Sequence, residues 1–138
     1  MITRTSTAVW QGSGKEGSGH ISTQSPALRQ EPYSYDSRFG DSSGTNPEEL
    51  VAAAHAGCFN MRLASILALE NIIPTELETA CRISMDNGSI VQSHLMLKAR
   101  AAGIDSAQFG VFVEQAKETC PMSRLLRADI SVEFLLNS

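Results

Sequence analysis

The sequence predicts an α+β domain in which strands from both ends of the chain flank one long helix. Three observations predict it. Residues Thr45 to Asn71, TNPEELVAAAHAGCFNMRLASILALEN, are apolar on nearly every side and carry no proline after Pro47, so they form one helix that needs cover all round. Two alternating runs, Glu76 to Met85 and Val91 to Ala99, meet at Asp86-Asn87-Gly88, where Asn-Gly accepts the positive φ of a tight hairpin turn. The end of the chain, Asp129 to Leu136, alternates as a half-buried strand. The resulting order is β-β-β-α-β-β-α-β, with the sheet wrapped round the helix. At 138 residues and 42% hydrophobic, the chain has the size and core of a single domain covering residues 1–138.

In chain order, ITRTSTAVW over residues 2–10 is rich in β-branched residues, and GSGKEGSG supplies a flexible turn to a second strand at His20 to Thr23. Ser25 to Gly44 is mostly loop by its turn formers, with one short strand around Tyr33 to Tyr35. The long helix starts with Asn46 as N-cap, Pro47 at the first helical position and Glu49 placed to close a capping box. After Pro74, Leu77, Thr79, Cys81, Ile83 and Met85 share one face of a strand. The return strand turns Val91, Leu95, Leu97 and Ala99 inward. Asp105 opens a second helix whose stripe is Phe109, Phe112, Val113, Ala116 and Cys120. Pro121 interrupts it, which sets Cys120 at the start of a short helical piece through Met122 to Arg127.

Several function classes drop out. A net charge of −4 without a Lys/Arg cluster argues against a nucleic-acid or acidic-membrane surface. The first residues lack the apolar core of a signal peptide, and His55, Asn60 and Arg62 interrupt the long helix before a run could span a bilayer. A cytoplasmic protein is expected, with its three widely spaced cysteines as thiols at rest.

Cysteine is among the most buried residue types, so an inert core thiol is the ordinary reading of each. Cys81 fits it, sharing a strand face with Leu77, Ile83 and Met85. Cys120 begins a short helix, where exposed N–H groups favour a thiolate, as suits a reactive or resolving thiol. Cys58 lies mid-helix among small residues and requires a side-chain cation to act as a nucleophile. Arg62, four residues on, reaches back along the same face; Arg38 lies in the loop before the helix. Spacing favours Arg62, although an arginine there is as often a snorkelling or ion-paired residue. His55 and Cys58 also share a helical face as two possible metal ligands, but no third or fourth ligand stands at sensible spacing, and a hydrogen-bonded core histidine is the plainer account.

The run YSYDSRFGDSSGTNPEELVAAAHAGCF, followed by AKETCPMSRLLRADI, resembles the OsmC/Ohr family of organic hydroperoxide peroxidases, its OsmC branch in particular. The resemblance covers essentially the whole chain, including Trp10-Gln11-Gly12. It implies an OsmC-like fold and a site of two cysteines, an arginine and a glutamate, which fall by motif position on Cys58, Cys120, Arg38 and Glu48. It further implies reduction of organic hydroperoxides through a Cys58 sulfenic acid and a Cys58–Cys120 disulfide, reopened by a lipoyl-type dithiol, with no cofactor or metal. A non-catalytic thiol sensor or binding module is the rival from another class.

With Asn46 as N-cap, Glu49 closes the box and Glu48 is free to hold a guanidinium; with Thr45 as cap the roles reverse. Glu48 and Cys58 are ten residues apart, about 15 Å along a continuous helix. One glutamate cannot then serve its own cysteine, and an intertwined homodimer with antiparallel central helices is expected, which also covers the apolar helix.

Overall fold

The computed structural model describes residues 1–138. The chain folds as two compact units, Met1–Leu50 and Val51–Ser138.

In the first unit β1 (Ser6–Gln11) and β2 (Ser18–Thr23) form the expected antiparallel hairpin, with Trp10 opposite Gly19. The Trp10 indole N–H donates to the carbonyls of Gly12 and Ser13, both at 3.2 Å, and so pins the turn. β3 (Glu31–Tyr33) adds antiparallel to β2, giving the order β1-β2-β3. The third strand stops at Tyr33, short of the expected Tyr35, because Ser34 caps a five-residue helix, α1 (Tyr35–Phe39). The Ser37 N–H donates to Ser34 Oγ at 3.1 Å and the Ser34 N–H to Ser37 Oγ at 2.8 Å, a reciprocal capping box. Sequence reading has loop here; so short a helix is below the reach of apolar periodicity. The Ser37 hydroxyl also donates to the Thr45 carbonyl at 2.8 Å, and Asn46 Nδ2 to the Ser37 carbonyl at 3.2 Å, which ties α1 to the start of the long helix.

That helix, α2, runs Pro47–Leu69 over 23 residues. The Glu49 N–H donates to Asn46 Oδ1 at 2.7 Å, so Asn46 is the cap as expected. The other half of the predicted box differs: the Glu49 carboxylate accepts the Thr45 hydroxyl at 2.9 Å, a side-chain donor one residue before the cap.

In the second unit β4 (Glu76–Asp86) and β5 (Ser89–Arg100) pair antiparallel, joined through Asn87 and Gly88 at φ of 49° and 77°. Two consecutive positive φ values are what a type I′ turn demands, and Asn-Gly adopts them at little cost. α3 (Ser106–Thr119) starts where Gln108 N–H meets Asp105 Oδ1 at 2.8 Å, and α4 (Pro121–Leu125) follows Cys120. β6 (Asp129–Leu136) then lies parallel to β5, so the helical segment is the crossover such a pair requires. The strands of the chain thus divide between two three-stranded sheets, β1-β2-β3 and β4-β5-β6.

The core of this unit joins Phe59, Leu63, Ile66 and Leu67 of α2 to Leu95, Leu97 and Ala99 of β5 and to Phe109, Val113 and Ala116 of α3. Val91 departs from its expected place: it is 42% exposed, while Ser93, next inward on the same strand face, is fully buried. Burial of Ser93 is permitted by the hydrogen bonds described below.

By length and composition α2 could cross a bilayer, yet its polar side chains bond within the second unit. Asn60 donates to the Leu77 carbonyl at 3.2 Å and accepts the Thr79 hydroxyl, and Arg62 Nε donates to Thr119 Oγ1 at 2.7 Å. It packs as a core helix along His55, Phe59, Leu63, Ile66 and Leu67. Ala53, Gly57, Met61, Ser65 and Leu69, spaced four residues apart, form an exposed stripe, so cover all round is not complete in one chain.

Candidate active site

Two pairs of the predicted site residues are brought together, each within one unit. In the first unit the Arg38 guanidinium donates through Nε and Nη2 to Glu48 Oε1 at 2.8 and 2.7 Å. Glu48, and not Glu49, holds the arginine, because Asn46 caps the helix and Glu49 turns back toward Thr45. Both donors fall on one carboxylate oxygen, and Glu48 Oε2 is buried without a hydrogen-bond partner. Arg38 sits on α1 and not on the expected loop, so its backbone is braced by the capping box and the tie to Thr45. Its guanidinium also lies 5.0 Å from the Phe39 ring centre, a cation–π distance. A cleft of about 230 Å³ opens beside it, lined by Trp10, Gly14, Tyr33, Ser34, Tyr35, Arg38 and Phe39. Its walls are largely aromatic, with Trp10 and Tyr33 rings 5.2 Å apart and Tyr35 and Phe39 rings 4.8 Å apart. An apolar molecule with one polar end matches this combination of aromatic wall and single cation.

In the second unit Cys58 lies beside Cys120, and all three thiols of the chain are unbonded to one another. Cys58 is half-buried, whereas Cys120 is fully buried. Burial pushes the Cys58 thiol above its ordinary range; a backbone hydrogen bond from Met122 pulls the other way, and the neighbouring Cys120 thiol raises it further. The start of α4 therefore acts on the thiol across from it. The sequence suggested that these N–H groups would favour a thiolate at Cys120, which leads that helix; the fold turns Met122 toward Cys58. Met122 acts through its backbone, and nothing in its residue type could have marked it.

Three residues before Cys58, His55 is fully buried with Nδ1 at 2.6 Å from Ser93 Oγ and Nε2 at 2.7 Å from Ser123 Oγ. Both ring nitrogens are thus engaged, the arrangement of a hydrogen-bonded core histidine, and burial lowers its pKa. Cys81 Sγ lies 3.2 Å from Ser93 Oγ, and burial raises that thiol although the Ser93 hydroxyl opposes the shift. The strand-face position predicted for Cys81 holds, with the Ser93 contact added. Arg62, the local rival for activating Cys58, directs Nε to Thr119, whose hydroxyl in turn donates to the Gln115 carbonyl at 2.7 Å. It braces the end of α3 next to Cys120.

Comparison with known proteins adds descent to this geometry. The family profile described as OsmC-like protein matches residues 40–134. Peroxiredoxin OsmC of Escherichia coli K12 is 39% identical over 135 residues, covering 95% of this chain and 94% of that protein. The organic hydroperoxide resistance protein OhrB of Bacillus subtilis is 29% identical over 122 residues, covering 86% and 88%. Its crystal structure superimposes with a TM-score of 0.67 at 26% identity, over 95% of this chain and 98% of that one. An OsmC-like protein from Mycoplasma pneumoniae shares the fold at a TM-score of 0.76 and 14% identity, over 98% and 97%. A profile match over more than half the sequence, with identity sustained along nearly the full length of a curated relative, makes this chain a member of the OsmC family.

Proposed function

We propose that the chain is a cysteine-based peroxidase that reduces organic hydroperoxides to alcohols. The carrying observation is the adjoining pair of unequal thiols: Cys58 is open enough to meet a substrate, and Cys120 is buried beside it. The Cys58 thiolate attacks one oxygen of the peroxide, the O–O bond breaks, and the alkoxide leaves as alcohol after taking a proton, which leaves Cys58 as sulfenic acid. The Cys120 thiol then attacks that sulfur and expels water, forming a Cys58–Cys120 disulfide. An external dithiol of the lipoyl type reopens it by two thiol–disulfide exchanges. Thiols, a peroxide and a dithiol complete the cycle.

In this reading Arg38 is the cation that favours the Cys58 thiolate and orients the peroxide, and Glu48 orients Arg38. The names of the relatives support the substrate class, as does the aromatic cleft beside Arg38. The reading also includes a homodimer with antiparallel central helices, in which the Arg38–Glu48 pair of one chain serves Cys58 of the other. The exposed stripe Ala53, Gly57, Met61, Ser65 and Leu69 supports it, since Ala53, Gly57 and Ser65 are small enough to let a second helix come close and Met61 and Leu69 leave apolar surface for it to cover.

The test is peroxide consumption with dihydrolipoamide, comparing cumene hydroperoxide with hydrogen peroxide. Many turnovers with preference for the organic peroxide are expected. A single stoichiometric loss of peroxide that the dithiol does not renew would make the chain a thiol sensor instead.

A further inference from the structure

The buried His55 network is unused by the chemistry above, yet it reaches the same short helix as the thiols. α4 has five residues and lies between Cys120 and Leu126, both extended, with ψ of 126° and 130°. A helix of this length has no stability of its own and stays only where tertiary contacts hold it. Its lead residue, Pro121, has no N–H to give, and Leu125 is 68% exposed. Ser123 is its buried residue, and the hydroxyl of Ser123 meets His55 Nε2.

α2 therefore meets α4 through His55, whose Nε2 lies 2.7 Å from Ser123 Oγ, and one helical turn further on the Met122 backbone and the Cys120 thiol act on the Cys58 thiol. The His55–Ser123 bond sets the distance of α4 from α2. The other side of the imidazole is anchored on β5 through Ser93, whose hydroxyl continues to Cys81. A neutral imidazole presents one donor and one acceptor, and a serine hydroxyl can play either part, so the row from Cys81 through Ser93 and His55 to Ser123 is satisfied in either direction.

We propose that His55 is a positioning residue for the thiol pair: braced on β5 by Ser93, its imidazole clamps α4 through Ser123 and so keeps the Met122 hydrogen bond on Cys58 and Cys120 against it. The clamp sets the reactivity of Cys58 and the approach of the second sulfur when the disulfide forms. This rests on Cys58 being the reacting thiol, but its test requires neither peroxide nor reductant.

The experiment follows alkylation of Cys58 by iodoacetamide in the fully reduced protein as a function of pH, read by peptide mass spectrometry, beside thermal midpoints. Ser123→Ala frees α4, and the Cys58 pKa rises by about one unit, slowing alkylation near neutral pH by ~10-fold. Ser123→Thr keeps a hydroxyl at the same place and restores the profile. Ser93→Ala removes the brace on the opposite nitrogen and raises the Cys58 pKa in the same direction by a smaller step, whereas Ser131→Ala, which removes the 2.6 Å bond to His94 between β5 and β6, lowers the thermal midpoint and leaves the Cys58 profile near wild type. A wild-type profile in Ser123→Ala, or a shift in Ser131→Ala as large as that in Ser123→Ala, would overturn the inference. If Cys58 consumed no peroxide, the proposed function would fall while these alkylation profiles kept their meaning.

Discussion

Replacing Arg38 by alanine separates a functional cation from a structural one. In the folded chain Arg38 reaches one oxygen of Glu48 through two donors at 2.7 and 2.8 Å, and its side chain is 40% exposed. An ion pair that open to solvent contributes about 1 kcal/mol or less to stability. The Glu48 side chain is only 17% exposed, however, so Arg38→Ala leaves a mostly buried carboxylate without its partner and lowers the thermal midpoint, by about 1–2 kcal/mol in stability. The effect on reaction is larger, because a guanidinium facing a thiolate makes a charge-assisted contact, and its loss amounts to about 3 kcal/mol, or ~100-fold in the rate constant for peroxide. Cys58 depends on such help, since burial holds its thiol high and the Met122 bond only partly offsets that. Arg62→Ala is the matched comparison. It removes the 2.7 Å bond to Thr119 and should cost about 1 kcal/mol of stability with little change at the thiol. The assay is stopped-flow reaction of the reduced variants with cumene hydroperoxide, with the Cys58 pKa taken from thiolate absorbance against pH. A large rate loss and a raised pKa in Arg62→Ala, with Arg38→Ala near wild type, would refute the assignment of Arg38.

The unequal thiols lead to a second set of outcomes: Cys58→Ser abolishes peroxide turnover, Cys120→Ser reacts once and accumulates Cys58 sulfenic or over-oxidised acid by mass spectrometry, and Cys81→Ser turns over near wild type. A Cys58–Cys81 disulfide in the oxidised protein would show that the resolving thiol was wrongly assigned. The buried imidazole predicts an acid-side loss of stability. Because burial lowers the His55 pKa in the folded chain, the unfolded chain binds the proton more readily, so the contribution is complete above the ordinary histidine value of 6.5 and declines as pH falls from there toward the lowered folded value. Thermal midpoints of wild type and His55→Gln against pH test this; parallel curves below that value would show that His55 contributes nothing to the acid transition.

Much of the local structure was readable because its causes lie within a few residues of one another. Asn46 and Pro47 mark the start of α2, Asp105 caps α3, Asn87-Gly88 turns the β4–β5 hairpin, and the alternation of Ile130, Val132, Phe134 and Leu136 gives β6 with its observed bounds. The cap also separated Glu48 from Glu49, since only one of two adjacent glutamates can turn back toward the helix start. The helix α1 escaped because its signal, Ser34 and Ser37 three residues apart, is a serine pair common in loops. For the activating cation, proximity in sequence favoured Arg62 and resemblance pointed to Arg38, and the paired alanine variants decide between them.

By itself, then, the sequence determined the α+β class, the long helix, the hairpins and the candidate residues Cys58, Cys120, Arg38 and Glu48. Only the tertiary structure decided what those residues touch. Arg62 meets a hydroxyl 57 positions away, His55 joins serines 38 and 68 positions away, and the backbone of Met122 serves Cys58 rather than the cysteine beside it. The physical reason is that caps, turns and periodicity are interactions between chain neighbours, written directly in residue order. The reactivity of a thiol is set instead by burial and by whichever donors the packed elements carry to it, including backbone groups that every residue possesses and no side chain announces.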